Sequence, residues 1–270
     1  MEKPVLKDTL LVMHDRVAVL TFGRDDVRNA LTGTALVEDL LNVLDWVNHS
    51  EDVSVLILTG AWSAFSSGGN FREMSEKMGI FAGSVQQIQD QYRRGIQRVP
   101  LAMEAVEVPV IAAINGPAIG AGFDLACMCD LRIGSNSAVM GETFVNLGII
   151  PGDGGAWFLQ RLIGYQRAAE LTLTGRIISA HEALNLGILL EVTESAQLLG
   201  RALELAAQIA SKPPRAVRMT KRLLKHAQRG SLPDFLELCA CFQGMAHHTI
   251  DHVEAINAFM QKRPGAYTGS

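Results

Sequence analysis

Residues 110–126 read VIAAINGPAIGAGFDLA, and their reading decides the fold. Val110 to Ile114 is apolar at every position, as expected for a strand covered on both faces. An Asn-Gly-Pro turn ends the run, and small residues then open a helical pattern. Backbone N–H groups at such a turn lack partners and can converge on an anion. Small side chains also let a ligand approach the main chain.

A second segment shares this design. LILTGAWSAFSSGGNF, residues 56–71, runs from another apolar strand into a glycine-rich turn. One such turn says little, because many strands end in glycine. Two on successive strands suggest two N–H donors aimed at one oxygen, an oxyanion hole able to stabilise a thioester carbonyl as it becomes an enolate.

Outward from these turns, LLVMHDRVAVLTF predicts two strands around Asp15-Arg16. LTGTALVEDLLNVLDWVNHS predicts an amphipathic helix behind a Thr cap. LRIGSNSAVMGETF reads as a third extended region, a helix runs from Gly155 to about Ile163, and helices fill most of the remaining chain. Strand-helix alternation with a helical last third argues α/β. Residues 71–99 are polar and weakly periodic, which suits a lid or a surface excursion.

The 270 residues are 48% hydrophobic and 19% charged, ample for a globular core. A net charge of −4 argues against a nucleic-acid binder, whose phosphate contacts need an electropositive surface. No apolar run reaches the about 20 residues of a membrane span. MEKPVLKD places no apolar segment behind a basic head, so the expectation is a cytoplasmic protein with no membrane partner.

Rival motifs fit poorly. GPAIGAG lacks the dinucleotide spacing, and no phosphate-binding GxxxxGK[ST] occurs. SSGG is not a nucleophile elbow. His248 and His252 at i, i+4 offer a metal two ligands but no third, so no metal is expected. Cys127/Cys129 and Cys239/Cys241 lie two apart in helical patterns and point away from each other. Arg215, Arg218, Arg222, Lys225 and Arg229 form one basic stripe on a helix, either a solvated face or a dock for a polyphosphate ligand or an acidic neighbouring subunit.

TFGRDDVRNALT, AFSSGGNF, AAINGPAIGAGFDLA, CDLRIGSNSAVMGETFVNLGIIPGDGG and LTGRIISAHEALNLGILLEV together resemble the crotonase superfamily, the enoyl-CoA hydratases and isomerases, along essentially the whole chain. The resemblance implies ββα units wound into a spiral over residues 1–200, then a helical oligomerisation region over 201–270. It implies a homotrimer or dimer of trimers, and no cofactor beyond the CoA of an acyl-CoA substrate. The oxyanion amides would fall on Gly69 and Ala121, with Gly68 and Gly120 shaping the turns. Arg28 and Ala30, and Ala64, Ser67 and Asn70, match stretches that line the CoA and pantetheine path.

The paired glutamates of the two-glutamate hydratases would align with Asp124 and Phe144. Asp153 aligns with an aspartate that dienoyl-CoA isomerases and certain diketone hydrolases carry in the pocket. Phe144 cannot transfer a proton, so the two-glutamate mechanism cannot run unchanged. Glu142 lies two residues before Phe144, and an extended backbone would send both to one side. Asp124 and Asp153, with Glu142 as a further candidate, are therefore the catalytic carboxylates, with Phe144 packed on the acyl chain. Enoyl-CoA hydration or double-bond isomerisation is the leading expectation. A C–C or thioester hydrolase and a catalytically quiet acyl-CoA-binding protein are the alternatives.

Overall fold

The computed structural model describes residues 2–270. In chain order the elements are β1 (Thr9–His14), β2 (Val17–Phe22), α1 (Leu36–His49), β3 (Val55–Gly60), α2 (Phe71–Ser75), α3 (Val85–Arg94) and α4 (Arg98–Ala105). Next come β4 (Val110–Ile114), β5 (Ala118–Ile119), α5 (Ala121–Met128), β6 (Leu131–Ser135), β7 (Val139–Gly141), α6 (Gly155–Ile163), α7 (Tyr165–Thr174), β8 (Ile178–Ser179), α8 (Ala180–Asn185) and β9 (Glu191–Thr193). The chain closes with α9 (Leu198–Ala210), α10 (Pro214–His226), α11 (Leu232–His247) and α12 (Ile250–Met260).

The main sheet has the order β1-β2-β3-β4-β6-β9, antiparallel at β1/β2 and parallel elsewhere. Its apolar runs are explained by cover on both faces. Leu20, Leu56, Leu58, Ala112 and Ile114 pack toward α1, α4 and α5, while Val19, Ile57, Ile111, Ala113 and Ile133 face α9. Leu198, Ala202 and Ala206 of α9 belong to that second core, so the helix that straddles position 200 is part of the sheet's packing.

A thinner layer of extended chain positions the site. β5 pairs with β7 and β7 with β8. Single bridges join Ser66 to Ala118 and Ala30 to Gly68. Units of strand, short extended piece and helix therefore repeat, as in β4-β5-α5 and β6-β7-α6. Each repeat lays its turn beside the previous one, which brings the glycine-rich segments together across the spiral.

Two local expectations change. α1 begins after Ala35, which makes no side-chain cap; Thr34 Oγ1, one residue earlier, accepts the Leu36 N–H at 3.3 Å, and the Asp8 carboxylate takes the Ala35 N–H at 2.7 Å. The third extended region splits into β6 and β7 and then ends. Thr143 has φ −85° and ψ 9°, and Phe144–Leu147 is a 3-10 turn.

Candidate active site

Gly68 and Gly120 set the two turns. Gly68 has φ +77°, and a Cβ there would lie 2.7 Å from the Ala121 nitrogen. Gly120 combines φ 54° with ψ −126°, a conformation open in practice to glycine alone. The backbone thus packs turn against turn. Neither the Gly69 nor the Ala121 N–H has a hydrogen-bond partner among the described residues. Two unpaired amides on touching turns are free to donate to a ligand.

The loop before α1 braces this arrangement. Arg28 and Asn29 adopt left-handed φ values of 51° and 53°. The Ser67 N–H then donates to the Arg28 carbonyl at 2.9 Å, and the Leu31 N–H to the Gly68 carbonyl at 2.6 Å. Buried Asn29 donates to the Ala64 carbonyl, and Ser66 Oγ donates to the Asn29 carbonyl at 2.7 Å.

Three carboxylates gather beside the turns. Asp124 and Glu142 are wholly buried and Asp153 nearly so. Asp124 lies on α5, with its carboxylate so close to Gly155 that a Cβ there would fall 2.1 Å from Oδ1. It is within hydrogen-bond reach of both Asp153 and Glu142. Thr172 Oγ1 donates to Glu142 Oε2 at 2.7 Å. As ionised groups, Asp124 Oδ1, Asp124 Oδ2 and Glu142 Oε1 would face no donor. A proton on Asp124 pairs two of these oxygens, since the acid can donate to a neighbouring carboxylate.

Burial pushes Asp124 well above the usual carboxylate range, and the nearby charges of Asp153 and Glu142 add to the shift. Burial also raises Glu142, against the Thr172 hydrogen bond, and raises Asp153, against the bond from Asp124. The N-terminus of α6 offers an anion about 0.3–1 kcal/mol. Removing a carboxylate from water costs several times more. Burial wins, so the cluster holds protons at pH values where free aspartate is ionised.

Asp153 is the one carboxylate of the three that lines the adjoining cavity, which also exposes Ser67, Gly69, Gly120, Ala121 and Phe144. The Phe144 ring lies against Gly120, where a Cβ would meet Cζ at 3.6 Å. Glu142 does not join it on that wall. The turn at Thr143 breaks the alternation, and Glu142 points inward to Thr172. The cavity holds about 60 Å³, room for roughly two waters.

Residues 71–99 form α2, a 3-10 turn, α3 and the start of α4, and Phe71, Met74, Ile80, Phe81, Tyr92 and Ile96 wall the cavity. Burial, then the charge of Asp153, raises the Tyr92 phenol. Of the other expected contacts, Arg28 is exposed and Ala64 buried, while Ala30 and Gly68 pair through their backbones. Asn70 caps α2, accepting from the Arg72 N–H at 3.1 Å. Thr172 and Tyr92 carry no sequence signal that would have singled them out.

The basic stripe makes contacts within the chain. Arg218 donates to the carbonyls of Val47, Asn48, Ser50 and Val53, capping the end of α1. Lys225 donates to Met103 and Glu104 carbonyls at the end of α4. Arg215 donates to the Gly269 carbonyl, and Arg222 and Arg229 pair with Glu107 and Glu104. Helical spacing gave the stripe its common face, and unpaired helix-end carbonyls gave that face its partners. Arg218→Met is expected to lower stability by about 2–3 kcal/mol, the scale for stranding buried carbonyls, with CoA affinity unchanged. Thermal melts and calorimetric CoA titration check both halves.

The histidine pair also differs. The helix ends before His248, and His247 Nδ1 instead lies 3.0 Å from His252 Nε2. Among the described residues no group of three ligands suited to a metal forms. All four cysteines are free thiols, and burial pushes Cys129 up to about 12. Among the described residues no helix is long and apolar enough to cross a membrane.

Known proteins resemble the chain in sequence and fold. The enoyl-CoA hydratase/isomerase family model matches residues 13–270. A short-chain-enoyl-CoA hydratase of Clostridium acetobutylicum is 35% identical over 96% of each chain. The 2,3-dehydroadipyl-CoA hydratase of Escherichia coli is 33% identical, covering 98% of this chain and all of that one (100%). The crystal structure of an enoyl-CoA hydratase from Bacillus anthracis matches with a TM-score of 0.91 at 35% identity, over 98% of this chain and 100% of that chain. With the repeated ββα units and their paired turns, these matches place the chain in the enoyl-CoA hydratase/isomerase family of enzymes, within the crotonase superfamily.

Proposed function

We propose that the protein moves the double bond of an enoyl-CoA thioester through an enolate, with Asp153 as the proton-transferring group. The observation that carries this is the lone carboxylate on the cavity wall, with Phe144 where a second acid would stand. The thioester oxygen takes the Gly69 and Ala121 amides, which stabilise the negative charge as it develops. Asp153 removes the α-proton and delivers a proton to the γ-carbon. One base suffices for that shift, because no water has to be activated on another carboxylate. Phe144 keeps the pocket dry, and the raised pKa of Asp153 suits proton exchange near neutrality. The acyl group enters as Phe71, Met74 and Phe81 shift, since the cavity of about 60 Å³ is too small for it.

Hydration of a 2-enoyl-CoA is the second reading, favoured by the hydratase names of the relatives. Parallel assays with a 3-enoyl-CoA and with crotonyl-CoA separate the two. Isomerisation should dominate in the wild type. Phe144→Glu should raise crotonyl-CoA hydration by about tenfold or more, the low end of what an added general acid–base contributes. Fast wild-type hydration without double-bond movement would transfer the assignment to the second reading. Release of free CoA would mark a hydrolase, and binding without turnover a quiet acyl-CoA-binding protein.

A further inference from the structure

Behind Asp153 the carboxylates continue away from the cavity. Asp124 reaches both Asp153 and Glu142, and Glu142 accepts from Thr172 Oγ1. Asp124 and Glu142 are wholly buried, whereas Thr172 is half-buried, with exposed Leu173 and Thr174 beside it on α7. The series therefore runs from the cavity wall to a half-buried threonine of α7. Three of its oxygens, both of Asp124 and Glu142 Oε1, have no partner unless a proton sits between the carboxylates. An apolar neighbour would fill this space at lower cost, since a buried carboxylate without a donor is strongly unfavourable. A proton on Asp124 pairs one of its oxygens with Glu142 Oε1, and the other gains a donor once Asp153 holds a proton.

We propose that Asp124, Glu142 and Thr172 form a proton path that lets Asp153 exchange its proton with solvent while acyl-CoA closes the cavity. The inference rests on the enolate reading above. The α-carbon gives its proton to ionised Asp153, and the C–H electron pair remains in the enolate. Asp153 passes the proton to Asp124 as Asp124 releases its own to Glu142. Glu142 trades its proton with water through the Thr172 hydroxyl. The same moves in reverse return a solvent proton to Asp153 and then to carbon. No net proton or charge is gained. Glu142 and Thr172 touch no substrate in this scheme and act as positioning residues for the proton.

The test reads label, not rate. In D₂O, under single-turnover conditions with a 3-enoyl-CoA, the wild-type product should carry deuterium at the γ-carbon. Thr172→Val and Glu142→Gln should both lose it, at whatever rate remains, because transfer becomes internal to the substrate and Asp153. Thr172→Ser should restore it. A purely structural role for Thr172 would change the rate and leave the deuterium content per turnover as it was. Wild-type product without deuterium, or unchanged content in both variants, would overturn the path. A second arm uses butyryl-CoA, whose α-proton exchange needs the enolate but no double bond. Butyryl-CoA exchange that Thr172→Val suppresses, with no isomerisation, rejects the isomerase reading and keeps the path. Absence of both reactions rejects both.

Discussion

Asp153→Asn is expected to cut turnover by about 10²-fold or more, the usual scale for losing a general acid–base, while acyl-CoA still binds. The carboxylate is nearly buried and lines the cavity, and the substitution replaces one of its oxygens with an amide nitrogen that cannot take up a proton. The Gly69 and Ala121 amides remain, so ground-state affinity should change little. The pH profile gives a sharper signature. Burial raises Asp153, and it works as a base only when ionised. The wild-type rate should therefore fall, as pH drops, at a point above the ordinary carboxylate range, and the variant should lose that limb.

Stability should move the other way. A carboxylate raised on folding binds more protons in the native state than in the unfolded chain. Its stabilising contribution is present below the unfolded value and lost as pH rises through the folded one. At neutral pH the native wild type therefore bears the cost of the buried acid cluster. The amide carries no such cost, and Asp153→Asn should melt no lower than the wild type. Reduced activity with undiminished stability identifies a residue kept for chemistry. If the variant is fully active and Glu142→Gln is inactive, Glu142 and not Asp153 is the group that takes the proton from carbon.

The sequence was most legible where local chemistry and tertiary packing agree. The aliphatic runs of β3 and β4 read as strands covered on both faces because α1 and α5 lie on one side and α9 on the other. Gly155 to Ile163 is a helix in both readings. Legibility failed where one dihedral redirects the chain. Alternation put Glu142 beside Phe144, and the turn at Thr143 separated them. It failed again where the partner is distant in sequence. The spacing of Arg218 and Lys225 shows a common helical face, but not that the ends of α1 and α4 lie beneath it. Thr172 sits 30 residues from Glu142, and no local pattern marks a threonine that binds a buried acid.

Gly69→Pro should cost about 10²–10³ in turnover, the range for removing one oxyanion donor. The donor is backbone, so deleting a side chain cannot reach it. Proline removes the N–H itself. Gly69→Ala is the control, because it keeps the N–H and changes only the side chain. A Cβ at Gly69 would meet Met74 Cε at 3.5 Å and Phe81 Cζ at 3.9 Å, ordinary van der Waals contacts, so alanine should fold and retain most activity. The same addition at Gly68 would fall 2.7 Å from the Ala121 nitrogen, pushing apart the turns that hold both donors, so that position cannot serve as the control. Circular dichroism shows whether the proline variant is folded, and the ratio of its rate to that of Gly69→Ala isolates the amide. A folded proline variant as active as the alanine one would mean that the carbonyl oxygen lies elsewhere, and with it the carbon that Asp153 faces.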